Sequence, residues 1–459
     1  MRRVARVVFI LAAAPHGQAA WPAPLDPAPE RAAPDPTPKQ AEPDGRPVPH
    51  GTPAGTGAAA GRPLRERAPL PEEAEAVGVI KGLRGRVVYG PDGHVTSVLV
   101  MRSDDMCDAD MPLFASLPAV SRVDLSGCAI SDAGLPPLAK LKNLRSLGAR
   151  ETRISDEGLR LLGRITTLEW LAFGGGHITA AGIGHLRSLS RLELLDIGGT
   201  ALGDDATPEI ARHATLRYLS LGKKVTVDGV AAIEGLTGLE ELRVQGGITD
   251  AHLAHLRRMV NLRVLWGTMY AVTDEGLRQI EGMRKLRELS LERSQVTDAG
   301  MVHVGRMAGL ESITLANTRV ADRGVAALVG LVDLRELLLQ NTGITDDAAA
   351  SLRRFPRLAR LSVGGTRVTD AGLAQIARIP TIINLSVGST AVTDAGMLSL
   401  ANLPRLFTVD IAQTAVTDRG AAALASIQTL QNIDVRGTRV TEKGVDRLRK
   451  KGAQYVVGP

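Results

Sequence analysis

Aromatic residues are scarce in this chain, with three Trp, four Tyr and five Phe making up 3% of 459 residues. The interior must therefore be built from Leu, Val, Ile and Ala within an apolar fraction of 44%, and the place of each aromatic becomes informative. Cysteine occurs twice, at Cys107 and Cys128, and neither follows the N-terminal apolar run as a lipid attachment site. No later apolar run approaches the roughly 20 residues that span a bilayer. Charge of one sign is never concentrated. The net charge of +6 is spread over a long surface, which argues against nucleic acid as a partner. No nucleophile stands with a base in a recognisable arrangement, so no enzyme, cofactor or metal is expected.

What the chain has in abundance is repetition. The segment Val368-Thr369-Asp370-Ala371-Gly372-Leu373 returns, with variations, from the first third of the sequence to its end. Positions equivalent to Asp370 fall at 108, 132, 156, 180, 204, 227, 250, 274, 298, 322, 346, 370, 394, 418 and 442, fifteen slots whose spacing is 24 residues except for two intervals of 23. Repetition at a fixed period lets one continuous core grow with length. Within a unit, Leu361 and Val363 lie two apart, as in a strand, and Leu373 and Ile376 lie three apart, as in a helical turn. Alternating strands and helices, stacked unit on unit, give a parallel sheet on one side and helices on the other.

The pattern Leu-x-x-Leu-x-Leu-x-x-Thr in these units resembles the leucine-rich repeat. The Thr-Asp-x-Gly-Leu segment is similar to the subclass of substrate-receptor proteins with cysteine-containing repeats, although Thr152, Thr200, Thr318, Thr342, Thr366, Thr390, Thr414 and Thr438 stand where that family usually has Asn or Cys. The resemblance covers residues 96 to 450. It implies an α/β solenoid, or horseshoe, of about 14 to 15 repeats with a concave parallel sheet and convex helices, the sheet binding a protein or other extended partner.

Around this domain, residues 102–459, the sequence predicts three further segments. Residues 1–20, with a basic Met1-Arg2-Arg3-Val4-Ala5-Arg6, an apolar run from Val7 to Ala14 and small residues beyond, suggest a signal peptide and hence a secreted, periplasmic or cell-surface protein, with a cytoplasmic one as the alternative. Residues 21–75 hold fourteen prolines and read as a disordered tether. Residues 76–101 place two β-rich runs around Gly90-Pro91-Asp92-Gly93 and predict a hairpin that caps the first repeat.

Several constellations carry candidate roles. The Asp slot holds Asp twelve times, and a Thr-Asp pair opening a helix predicts N-terminal capping. The Gly two residues later, present in eleven copies, predicts close packing between turns. The Thr row is expected to bond backbone groups of adjacent loops. Strand positions facing away from the core bring Trp170, Asp196, Tyr218, Glu241, Arg243, Trp266 and Glu288 onto one surface, with adjacent aromatics on the order of 10 Å apart. Slots 180 and 227, filled by Ala and Val, and both 23-residue intervals fall in the same stretch, and a local break in a regular pattern is where function is expected. An even pair of cysteines in an exported protein suggests a bond between Cys107 and Cys128, though they sit at different points of the repeat. His252 and His255 have metal-ligand spacing without a third ligand and read as solvated helix histidines. Gly174-Gly175-Gly176 and Gly222-Lys223-Lys224 lack phosphate-loop spacing. The functional expectation is a monomeric, non-catalytic scaffold that binds a protein on its sheet. An envelope carbohydrate-binding module and an intracellular substrate receptor of a modification complex are the alternatives, the latter requiring an adaptor-binding domain that the first 95 residues do not display.

Overall fold

The computed structural model describes residues 69–175 and 177–458. The expected signal peptide and nearly all of the Pro-rich segment lie outside the described residues. Within them, every strand from Val95–Leu99 to Tyr455–Val457 pairs in parallel with the next, and helices or 3-10 turns connect successive strands across most of the sheet. The register is set by the period: Leu289 pairs with Ile313, Ile313 with Leu337, Leu337 with Leu361 and Leu361 with Leu385. The unit spelled out above buries Leu361, Val363, Val368, Leu373 and Ile376 almost completely. Removing each such side chain from water contributes about 1.5–3 kcal/mol, but only against the equivalent residues of the neighbouring units.

The hairpin forms, with Arg86–Tyr89 antiparallel to Val95–Leu99. Two features around it were not anticipated. A helix, Ala74–Gly82, precedes it and buries Ala76, Val77 and Ile80 against the core. Ordered structure also starts ahead of the expected boundary at 76, with a 3-10 turn over Pro71–Glu73. Glu73 is fully buried; its carboxylate accepts from the Val95 amide at 2.8 Å and meets His94 Nδ1 at 3.0 Å, pinning the cap to the sheet. At the other end the helix Glu442–Lys450 and the strand Tyr455–Val457 complete the stack.

The Thr-Asp-x-Gly segment does more than cap. Thr369, Thr393 and most of their equivalents do act as N-caps, the hydroxyl accepting from the amide two residues on, though Thr179 and Thr441 make no such bond. The Asp, however, turns to the following unit. Asp370 accepts the Thr393 amide at 2.8 Å on one oxygen and the Thr393 hydroxyl at 2.6 Å on the other. All twelve slot Asp residues accept the equivalent amide of the next unit. The Gly exists for the same contact: a Cβ at Gly372 would overlap Asp346 Oδ1, and one at Gly396 would overlap Asp370 Oδ1. Carboxylate, Thr and Gly thus form one lock per joint.

The exceptions obey the same rule. Where the slot is Ala180, the next unit carries Gly203 in place of Thr and Ala206 in place of Gly. Where it is Val227, His252 occupies the Gly position, and its Nδ1 takes over the role of the absent carboxylate, 3.2 Å from the Thr249 amide and 2.9 Å from the Thr249 hydroxyl. Where Ala348 stands with Asp322 still present, the hydroxyl bond from Thr345 lengthens to 2.9 Å and the helix starts late, at Ala348–Leu352. His252 is therefore buried, not solvated as expected; His255 is the partly exposed member and meets Glu234 at 3.2 Å. The Thr row also differs from expectation. Thr366 donates to Val363 of its own turn, and Thr152, Thr200, Thr318, Thr342, Thr390, Thr414 and Thr438 do the same three residues back. A hydroxyl on the residue that ends a tight turn reaches its own strand's last carbonyl before it reaches a neighbour.

Three outcomes are expected. Gly372→Ala should destabilise the chain by about 1–2 kcal/mol, the overlap outweighing the helix-propensity gain, and the cost should nearly vanish in an Asp346→Ala background, as at Ala206. Ala321→Thr should stabilise by about 0.5–2 kcal/mol, because Asp298 there receives only a backbone amide, at 2.6 Å; both are read by urea unfolding.

The third concerns pH. A backbone amide can only donate, so Nδ1 of His252 accepts and the proton sits on Nε2, which is buried without a partner among the described residues. Burial lowers the pKa of His252 from 6.5, and burial likewise lowers that of His213. A group whose folded pKa lies below its unfolded value contributes stability that is present above pH 6.5 and lost as pH falls toward the folded pKa. The melting temperature of the wild type should therefore fall on mild acidification, and His213→Leu with His252→Gln should flatten that dependence; an unchanged slope would contradict the assignment.

Candidate sheet-face site

Between the buried positions of each strand, two rows of side chains point away from the core. One row runs Trp170, Leu194, Tyr218, Glu241, Val264, Glu288 and Ser312. The second runs Ala172, Asp196, Ser220, Arg243 and Trp266. The expected residues thus share a face but not a line: Trp170 and Tyr218 occupy the first row two strands apart, about 10 Å at sheet spacing, and Trp266 lies in the second.

Contacts divide these residues into two groups. Asp196 is 8% exposed; it receives the Gly198 amide at 3.0 Å and forms an ion pair with Arg150. Arg243 is held on two sides, its Nε 2.6 Å from Glu241 Oε1 and its guanidinium 5.6 Å from the centroid of the Tyr218 ring. Burial, with the Asp196 charge adding to it, pushes the Tyr218 phenol up to about 12. Trp266, by contrast, is 47% exposed. Glu288 makes no side-chain hydrogen bond or ion pair among the described residues. Partial desolvation, then the charges of Glu241 and Glu336, holds its carboxyl above the ordinary range.

Sequence reasoning missed Arg150, which reaches Asp196 from a turn 46 residues earlier. It also missed Tyr270. The strands Glu241–Thr249 and Val264–Ala271 run on past the usual three or four residues, pairing Gly247 with Thr268 and Thr249 with Ala271. On the second of them Trp266, Thr268 and Tyr270 alternate with buried Leu265 and Met269, and Tyr270 is 52% exposed. The alternation was there to be found, because β-prone residues continue where other units have a Gly- or Asn-bearing turn. Gln245 was missed too: Gly198 leaves the space its amide fills.

The bond weighed between Cys107 and Cys128 is not made; both are free. Cys107 bridges to Ala129, so Cys128 stands one residue out of register and turns inward, its Sγ donating to the Val100 carbonyl at 3.1 Å. No cluster of three or more His, Cys, Asp or Glu side chains suited to a metal ion occurs among the described residues, and no described helix is long and apolar enough to cross a membrane.

Residues 120–139 match the family model described as Leucine Rich repeat. That segment holds the strand Arg122–Asp124 and the Asp132 lock, and its successors stack on it in unbroken parallel register. The fold is an α/β solenoid of the leucine-rich-repeat type. Comparison with curated proteins returns no match. Among solved structures it is similar to an internalin of Listeria monocytogenes, at 18% identity over 86% of this chain and 98% of that one with a TM-score of 0.40. A leucine-rich-repeat protein of Leptospira interrogans gives 16% identity over 74% and 78%, with a TM-score of 0.45. The ectodomain of the Arabidopsis receptor kinase HAESA, in complex with an N-terminally extended IDA peptide hormone ligand, gives 12% over 79% and 74%, with a TM-score of 0.45.

The enclosed position of Tyr218 can be checked optically. In an alkaline titration followed by phenolate absorbance, a late step near pH 12 is expected in the wild type and should be absent from Tyr218→Phe; its persistence in that variant would contradict the geometry.

Proposed function

We propose that this leucine-rich-repeat solenoid is a non-catalytic scaffold that binds an extended polypeptide on its sheet face, and that residues 1–20 direct its export. The observation that carries the reading is the exposure of Trp266 and Tyr270, at 47% and 52%, in a chain with only twelve aromatics. They sit four residues apart on one strand, roughly 13 Å at strand rise, a span that suits a short extended segment laid along it. Trp and Tyr offer large contact area at small entropic cost, and a rigid sheet presents them without ordering on binding. The glycan alternative has less support, because Arg243 already covers the Tyr218 ring that a sugar would stack on.

Selection of displayed random peptides on the intact chain tests this. Selected peptides should lose affinity about 10- to 30-fold on Trp266→Ala or Tyr270→Ala, with the melting temperature unchanged. Peptides that bind wild type and both variants equally would place recognition elsewhere and end the proposal.

A further inference from the structure

Tyr218, Arg243 and Glu241 form a small closed set: an aromatic face, a guanidinium over it and a carboxylate holding that guanidinium at 2.6 Å. Tyr218 and Glu241 are directly paired neighbours in the first row, and Arg243 comes from the second. On the next pair of strands two parts of the same set recur. Trp266 supplies an aromatic face, and Glu288 supplies a carboxylate. Glu288 pairs with Val264, two residues before Trp266, so the two side chains share the sheet face at a diagonal of ~8 Å. Among the described residues no cation pairs with Glu288 to complete the set. Arg243, the direct neighbour of Trp266 in the second row, is engaged by Tyr218 and Glu241, and on the far side Arg360 is engaged by Glu336 at 3.0 Å.

The geometry points to Trp266 and Glu288 as a receptor for a cationic side chain, so that the polypeptide bound on this face carries an Arg or Lys set between them. This rests on the sheet-face reading above and adds the chemistry of the partner. A cation within about 6 Å of a Trp face is attracted by the ring quadrupole, and a carboxylate beside it supplies a charge-assisted hydrogen bond. Glu288 is exposed on the sheet face; the neighbouring carboxylates Glu241 and Glu336 are each already ion-paired, with Arg243 and Arg360, which leaves Glu288 as the carboxylate of this row open to an incoming positive charge. The chain as a whole is positive, at +6, and repels polycations in general, so attraction to a basic peptide has to be local to this face.

Two readouts test it on the intact chain. Peptides selected on the wild type should be enriched in Arg and Lys relative to the library. A synthetic Arg-containing peptide of that selected sequence, followed by fluorescence anisotropy, should bind about tenfold or more weakly to Glu288→Gln and to Trp266→Ala. Citrulline in place of its Arg should weaken it as much, while Glu442→Gln, which removes the same charge at the far end of the stack, should have no effect. Selected peptides that need Trp266 but are no richer in basic residues and bind Glu288→Gln normally would overturn the cation assignment and leave the sheet-face reading standing. Peptides indifferent to Trp266→Ala would overturn both.

Discussion

The structure depends on one joint: in most units, a carboxylate at the start of the helix that grips the amide and hydroxyl of the Thr or Ser in the next unit, through space a Gly leaves free. Hydrophobic burial supplies most of the energy that holds the stack together, but aliphatic surfaces can slide past one another. The lock cannot, because it has two donors and two acceptor oxygens, and a Cβ at Gly372 or Gly396 would overlap the carboxylate. It gives each turn the same offset from the last, and that offset keeps Leu289, Ile313, Leu337 and Leu361 level in the core. Level core positions in turn hold the two outward rows straight. The candidate surface is a consequence of the joint on the opposite side of the unit.

The two joints that lack a carboxylate lie within or beside the aromatic face. Ala180 has no carboxylate and meets Ala206; Val227 has none and meets His252. The strands Tyr218–Leu221 and Glu241–Thr249 lie within this stretch and Val264–Ala271 directly follows it, the last two lengthened. The proposed site and the irregularity coincide here, as a locally consistent sequence leads one to expect. Because the surface is carried by strands whose cores remain fully buried, as at Leu219, Leu242 and Leu265, its side chains are pre-organised and lose little freedom when a partner arrives.

Much of this was legible in the sequence, for physical reasons that differ between residues. The period, the strand and the helical turn follow from the spacing of Leu361, Val363, Leu373 and Ile376, and close packing follows from a Gly placed where a helix disfavours it. The direction of the Asp was not legible. Thr-Asp at a helix start satisfies the capping rule whether the carboxylate turns back or forward, and only the Cβ-free space at Gly372 decides it. His252 was misjudged for a related reason, since its role appears only when Val227, two dozen residues earlier, is seen to lack a carboxylate. The candidate surface was legible as a set of residues and not as a pattern of contacts. Pairing of Arg150 with Asp196 spans two strands, and the extended strand that lifts Tyr270 onto the face depends on backbone pairing between adjacent units.

A double-mutant cycle between Asp370 and Thr393 tests the joint most directly. Each single change has a precedent within the chain, in Ala180 and Ala321, so Asp370→Ala, Thr393→Ala and the double variant should all fold. If the lock couples neighbouring units, their unfolding free energies should depart from additivity by about 1–3 kcal/mol, the double variant losing much less than the sum of the singles. Additivity within about 0.3–0.5 kcal/mol would mean that the contact only accompanies a register fixed by the aliphatic core.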